Sequence, residues 1–432
     1  MGQASRTMCL SPKCKAGLTF SRRSINKGFE FEHDLKRLSF GIVVLETANN
    51  QMPSYERVLQ DLVRLIQCVA PGQVARVSDP ERLNGNRVET VLLDSVQSQA
   101  NRFEEVLLYA YRCGRLGLPM FEMNIAGHEP MTSLTVPHRV HDAIFRDSLW
   151  GGTPFRESEN GRRLVSARAW NATPFFEFAP TVLLFGTWDS QSGGGVNTAK
   201  IARSLVSEII ALDAVRGVRT SSRIDPLGIK AVRDVVMKTE GGDTWRFVEP
   251  GGDKKVKKSE GKMVRPSEIN HGNIAPSITD PVTGPGGVSF RAAVQTTVLS
   301  FTQLRKLRFP DASGASAPER DAAGRAVIAA LGLYAVALQQ EEGYQLRSRC
   351  QLVPVESPQF ELIGRTQAKT ESERMVFELD SANAFEALQA AIEAAGGHGL
   401  TWQAGRIELQ PRPDLMRLVE FSDRTTSVVE GE

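Results

Sequence analysis

Val88–Leu93 reads as a strand, and it runs into a helix predicted over about Asp94–Cys113, broken by Gly114 and Gly117. Further on, the compact apolar run Thr181–Phe185 (TVLLF) predicts a buried strand that ends in a Gly-rich loop. Ile201, Leu205, Ile209 and Leu212 fall on one face of a helix predicted over about Thr198–Leu212. Strands are predicted at Arg216–Ile224, Val288–Phe301, Leu346–Val355, Arg374–Leu379 and Arg406–Gln410. A long Ala/Leu helix is predicted at Arg320–Gln340, and a second at Ala382–Ala395, closed by Gly396-Gly397. Tyr55–Cys68 has helical spacing, although Leu65–Val69 at its end also fits a short strand. The first 37 residues lack apolar periodicity. No internal repeat is visible, and the chain as a whole reads as α+β.

The organisation follows from these patterns. Residues 1–50 form a basic N-terminal extension, and 51–237 carry the first strand–helix units with a Pro-rich, irregular stretch at about 118–180. Residues 238–287 are rich in Gly, Pro and Lys; they are too polar for core and too long for an ordinary connection, so they read as an extended insertion. Residues 288–432 hold the remaining strands and helices.

Composition changes this picture in two ways. The chain is 432 residues long with a net charge of +2, but residues 356–432 carry 14 acidic and 7 basic side chains, which leaves 1–355 at +9. A basic body beside an acidic segment points to a polyanion-binding surface and a region that stays away from it; an ordinary scatter of surface charge fits the same numbers. The five cysteines (Cys9, Cys14, Cys68, Cys113, Cys350) are sparse and odd in number, which excludes a disulfide framework and fits a reducing, cytoplasmic setting. No run reaches the roughly 18 uninterrupted apolar residues of a membrane span, and none near the start has the length of a secretory signal.

Candidate chemistry is concentrated in four places. In Ser95-Val96-Gln97-Ser98-Gln99-Ala100-Asn101-Arg102, amides and hydroxyls crowd a helix start, where free N–H groups favour an anion; Gln97, Ser98, Asn101 and Arg102 could share one face. A helix cap with a buried polar network fits those residues equally. The Gly186–Gly195 loop, with Gly193, Gly194 and Gly195 and with Lys200 and Arg203 on the following helix, resembles a phosphate cradle but matches neither GxxxxGK(S/T) nor GxGxxG. His138 and His141 are three residues apart, flanking Arg139, and suit a metal edge, a structural role or an RNA contact. Finally, Lys254, Lys255, Lys257 and Lys258, near Trp245 and Phe247, have the composition of a phosphate-contacting flap with stacking partners, or of a solvated loop. No GxSxG elbow, HExxH pair or acid/base carboxylate pair appears. Catalysis has no visible carrier, no cofactor is indicated, and the shared direction is polyanion binding.

Several phrases resemble one family in order and wording: LLDSVQSQANRFEE (Leu92–Glu105), VPHRVHDAIFRDS (Val136–Ser148), LFGTWDS (Leu184–Ser190), ARSLVSEI (Ala202–Ile209) and INHGNI (Ile269–Ile274). Over about Asp61–Phe309 the chain resembles the backbone RAMP protein of type I-G (formerly I-U) CRISPR interference complexes, the Cas-seven-like subunit. That resemblance implies a ferredoxin-like, RRM-like palm with inserted finger (about 118–180) and thumb (238–287) elements. It implies copies stacked along a CRISPR RNA beside other complex subunits, gripping its backbone while base pairing reads the target DNA strand. Gln97, Ser98, Asn101 and Arg102 would then lie on the palm, Gly193–Gly195 with Lys200 and Arg203 would make a second backbone contact, and His271 would sit near the thumb. Arg139 and the four flap lysines would add further RNA contacts. Pro71–Gly85 lacks the longer Pro/Phe/Gly-rich run of that family, and the first 50 residues have no counterpart in it. Two other functions use the same residues: an enzyme binding a nucleotide or sugar phosphate at Gly186–Lys200, or an RNA-cleaving backbone subunit with Asp189 as its loop carboxylate.

Overall fold

The computed structural model describes residues 90–189, 200–217, 220–229, 236–238, 245–249, 261–269, 271, 273–278, 287–354, 360–362, 375–403 and 405–431. Its strands, in chain order, are β1 (Thr90–Asp94), β2 (Met120–Met123), β3 (Met131–Thr132), β4 (Ser148–Trp150), β5 (Thr153–Pro154), β6 (Thr187–Trp188), β7 (Lys200–Ile201), β8 (Leu205–Leu212), β9 (Val215–Arg216), β10 (Thr220–Arg223) and β11 (Val236–Lys238). They continue with β12 (Trp245–Phe247), β13 (Lys262–Val264), β14 (Ile274–Ile278), β15 (Val288–Ser289), β16 (Ala292–Leu299), β17 (Tyr344–Arg347), β18 (Cys350–Leu352), β19 (Phe360–Leu362), β20 (Met375–Phe377) and β21 (Arg406–Pro411). The α-helices are α1 (Val96–Arg112), α2 (Ala143–Arg146), α3 (Glu159–Ser166), α4 (Thr173–Phe178), α5 (Thr181–Phe185), α6 (Phe301–Leu304), α7 (Pro318–Glu342), α8 (Ser381–Gly397) and α9 (Pro413–Gly431).

The central sheet is antiparallel, in the order β1-β8-β16, with Leu205 opposite Leu299 and Leu212 opposite Ala292. Alternation decides its faces. Leu205, Ser207, Ile209 and Ala211 point to the side covered by α1, α7 and the β17–β18 hairpin and are buried. Val206, Glu208 and Ile210 point the other way, with Val298, Thr296 and Val294 opposite them, and all six are only half-buried. Among the described residues the sheet has three strands, and β17 pairs with β18 rather than joining it.

Helix α7 is the core. Residues 321–339 are all buried, so the apolar face has no polar opposite and the helix is enclosed on every side. By length and hydropathy it would suffice to cross a membrane, but its apolar window lies wholly inside the protein. Small residues let neighbours come close. A Cβ on Gly332 would stand 3.0 Å from Leu184 Cδ2, and one on Gly324 would stand 2.6 Å from the Phe309 ring. The second helix α8 packs along it.

A second sheet has the order β3-β2-β21-β4-β5. Its middle strand is C-terminal: β21 runs parallel to β2 and antiparallel to β4. The acidic segment thus supplies the strand that lies between two strands of the 118–180 stretch. Around this sheet Phe121 meets Trp150 and Phe155 edge to face, Phe178 meets Trp150 the same way, Trp150 stacks on Phe155, and Phe145 lies tilted against Phe121.

Two predicted elements change type. Thr181–Phe185 is a short helix, not a strand, because all five residues are buried and a run that is apolar all round carries no period. The predicted helix over Thr198–Leu212 is instead β7 and β8. Leu205 and Ile209 are four apart, an even spacing that aligns them on a strand as well as on a helix. The helix at Asp94–Cys113, the strands at 88–93 and 288–301, and the helices at 320–340 and 382–395 form close to where their patterns put them. Tyr55–Cys68 lies outside the described residues.

Candidate nucleic-acid interface

At the start of α1, Ser95 is the N-cap and its hydroxyl accepts from Ser98 N at 3.3 Å. Gln97 and Asn101, one turn apart, are exposed; Gln99, between them in sequence, is fully buried. Gln99 belongs to a polar network inside the core. Its amide donates to Asp94 (2.5 Å), and its carbonyl oxygen accepts from Ser207 (2.9 Å) and Gln295 (2.8 Å). Gln295 also donates to Gln339, while Ser207 pairs with Thr297 and the Tyr344 hydroxyl donates to Gln295. Burial raises the Tyr344 pKa, which keeps that hydroxyl a donor. Arg102 extends the network outward: Nε donates to Asp94 at 2.8 Å, Nη1 to Gln345 O at 3.0 Å and Nη2 to Leu346 O at 2.8 Å. Its guanidinium thus ties α1 to β17, and its side chain is 24% exposed.

Arg139, expected as an RNA contact, is corrected by its surroundings. It is 8% exposed, and its guanidinium grips Glu104 bidentately at 2.6 and 2.8 Å while donating to Gly186 O at 3.1 Å. The backbone of Arg139 sits in the left-handed region, φ 54°, a strain of the order of 1 kcal/mol for a non-glycine residue that this anchoring holds in place. Burial raises the Glu104 pKa, and the hydrogen bond from Arg139 opposes the rise. A phosphate cannot reach this guanidinium without displacing a buried carboxylate.

The Gly-rich loop connects β6 to β7, which pair antiparallel with Trp188 opposite Lys200. It is the loop of a β-hairpin, so the strand–loop–helix phosphate cradle does not form; Gly193, Gly194 and Gly195 lie outside the described residues. Gly186, at the hairpin's entry, has φ 78°, and a Cβ there would stand 2.9 Å from Ile201 O. Trp188 is 59% exposed, with Lys200 Nζ 5.7 Å from its ring centre. Asp189 points inward, 1% exposed, and accepts from Arg156 at 2.8 and 3.0 Å. Arg203 is half-buried beside this hairpin, and its Nε is buried without a hydrogen-bond partner. His141 contacts Thr187 Oγ1 through Nδ1 at 2.9 Å; its Nε2 is buried without a partner, and burial lowers its pKa to about 4. His138 is exposed. Among the described residues no three His, Cys, Asp or Glu side chains gather as a metal site would require.

The described residues of the 238–287 insertion include β-strands. β12, β11 and β13 make a small sheet, in which Trp245, Lys238 and Lys262 lie side by side across the strands. Trp245 and Phe247 are 45% and 58% exposed. His271, 38% exposed, meets the edge of Trp245 at 5.8 Å and lies 3.9 Å from Asp225. The INHGNI phrase is a fastening: Asn273 Oδ1 accepts from Asp225 N at 2.7 Å, and Asp225 Oδ2 accepts from Ile229 N at 2.9 Å. Lys254, Lys255, Lys257 and Lys258, between β12 and β13, lie outside the described residues.

Sequence reasoning missed the exposed Trp188 and, although it named Trp245 as a stacking partner, the pairing of Trp245 with Lys238 and Lys262. Their signal was an aromatic next to a loop-flanking cation, visible only once strand pairing is known. With this geometry in hand, comparison with known proteins adds one link. Residues 70–216, about a third of the chain, match the CRISPR-associated protein GSU0053 family. The matched segment contains α1, the Arg139–Glu104 pair and the Trp188–Lys200 hairpin. This supports involvement in a CRISPR system. No curated protein sequence matches the chain.

Proposed function

We propose that this protein is a non-catalytic, RNA-binding backbone subunit of a type I-G CRISPR interference complex. In this role it stacks copy on copy along the CRISPR RNA, in the cytoplasm, and leaves the guide's bases free to pair with target DNA. The observation that carries the proposal is the match of residues 70–216 to a CRISPR-associated family. The fold is in keeping with it in one respect: helices cover one face of the central antiparallel sheet, three-stranded among the described residues, and leave the other half-open. An open sheet face is a surface on which RNA-binding modules hold single strands. The exposed polar side chains Gln97 and Asn101, the Lys200 hairpin with its glycines, His271 and the lysine-bearing insertion are the surfaces we assign to the RNA backbone. Neither rival role gains from the geometry. Asp189 is buried against Arg156 rather than presented to a target strand, and the loop after Gly186 does not lead into a helix N-terminus.

Purification without nuclease tests the proposal. The protein should carry RNA, seen as a high ratio of absorbance at 260 to 280 nm. Stripped of it, the protein should bind unrelated single-stranded RNAs with similar affinities that fall steeply with salt. A folded, nucleic-acid-free protein with no affinity for single-stranded RNA at low salt would refute the assignment.

A further inference from the structure

We infer that Trp188 is a stacking platform for an unpaired nucleobase, with Lys200 beside it to meet the adjoining phosphate. This rests on the RNA-binding role proposed above and adds to it a contact to bases, which a pure backbone grip lacks.

The argument starts from cost. β6 and β7 are two residues each, and the cross-strand pair Trp188–Lys200 is what their pairing brings together. A cross-strand pair in such a hairpin contributes at most about 1 kcal/mol, and a Thr or Val opposite Lys200 would close the hairpin without a large ring. Instead the chain holds an indole with 59% of the residue's surface in solvent, while the neighbouring Phe185, Phe175 and Phe103 are fully enclosed. The hairpin's charges are sorted as well. Asp189, next in sequence, is turned into the protein and neutralised by Arg156, so of the described hairpin residues Lys200 alone presents charge to solvent. The backbone that carries the ring is held in place: Thr187 on its N-terminal side is buried against His141, and Gly186 before it is packed on Ile201 O too tightly for any other residue.

A fixed, exposed aromatic face beside a cation, with the nearest carboxylate turned away, suits a ligand that is both flat and anionic. A base in a single strand is such a ligand: its π-face stacks on the ring, and its phosphate lies within reach of an ammonium. Stacking accepts every base, so the platform would hold the strand's course without reading sequence. A paired base inside a duplex offers no free face, and the platform therefore selects single-stranded RNA.

Competition between two strands of equal length and charge tests this. One is oligouridylate; the other has the same sugar-phosphate chain with the bases removed. Wild-type protein should bind oligouridylate on the order of tenfold more tightly than the abasic strand. Trp188→Leu, which keeps apolar bulk but removes the aromatic face, should lose that preference and bind the abasic strand as wild type does. Trp188→Phe should retain most of it. Thermal melting of each variant identifies any folding defect, and the preference between strands is a ratio measured on folded protein. If Trp188→Leu keeps the wild-type preference, or if wild type has none, the platform is refuted while backbone binding stands. If wild type binds neither strand, the RNA-binding role falls and the platform with it.

Discussion

The interior beneath the central sheet and the hairpins at the surface use the same residue types to opposite ends. Inside, Arg139 and Arg102 spend their donors on Glu104, Asp94 and main-chain carbonyls, and they connect α1 to the Gly186 turn and to β17. On the surface strands, Lys200 lies over the exposed Trp188, and Lys238 pairs across strands with the exposed Trp245, with Lys262 next in the row. A guanidinium can be buried if a carboxylate or carbonyls meet its fork, whereas an ammonium on a flexible stem stays hydrated. The lesson is that Arg102 and Arg139, which stand in the phrases that resemble the family, hold the fold together, while the phosphate contacts proposed above fall to plainer Lys/Trp pairs at the surface.

The largest expected effect lies inside. Arg139→Met leaves the Glu104 carboxylate buried without its partner, and this should destabilise the protein by about 3–5 kcal/mol in urea or thermal unfolding. RNA affinity of the folded fraction should not change. Pairing it with Glu104→Leu should recover much of the loss, since both charges are then gone.

Next comes acid. Burial lowers the pKa of the folded His141 from the usual 6.5 to about 4, with the nearby Asp189 opposing the shift. Between those pH values the unfolded chain binds the extra proton, so stability present above pH 6.5 falls as pH drops and reaches its floor near 4. The contribution is roughly 3 kcal/mol. His141→Gln should flatten this part of a stability–pH curve measured by urea unfolding; an unaltered curve would show that His141 is not the group titrating.

A smaller change is expected from Arg102→Ala, about 1.5–3 kcal/mol of stability through lost charge-assisted hydrogen bonds to Asp94, Gln345 and Leu346. Its melting temperature should fall while the folded fraction binds RNA as wild type does. Loss of affinity without loss of stability would move Arg102 to the RNA-facing side of the comparison.

Why some of this was legible and some not follows from period. Helix α1 shows in the sequence because 17 residues repeat an amphipathic pattern several times, and α7 because an Ala/Leu-rich run of 25 residues is too long for a strand. Strand β8 was misread because its apolar residues fall at intervals of four, and the residue that would break the tie, Ser207, is polar yet buried. The site suffered from the same kind of polar burial. Gln99 lies one turn before Phe103 and two before Leu107, so helical spacing alone places it on the buried face, while Gln97 and Asn101 fall on the open one. The ion pair between Glu104 and Arg139 spans 35 residues, a separation that no local pattern encodes.

The smallest effects per residue belong to the hairpin lysines, yet together they test the central claim most directly. The measurement is the salt dependence of single-stranded RNA affinity for wild type, for the combined variant Lys200→Gln, Lys238→Gln, Lys262→Gln, and for Arg102→Ala. Each lysine that meets a phosphate should reduce the slope of log affinity against log salt by about 0.7, so the triple variant should lose roughly two units. Arg102→Ala should keep the wild-type slope. An unchanged slope in the lysine variant, with a reduced one in Arg102→Ala, would contradict the division between a fold-holding interior and an RNA-facing hairpin surface.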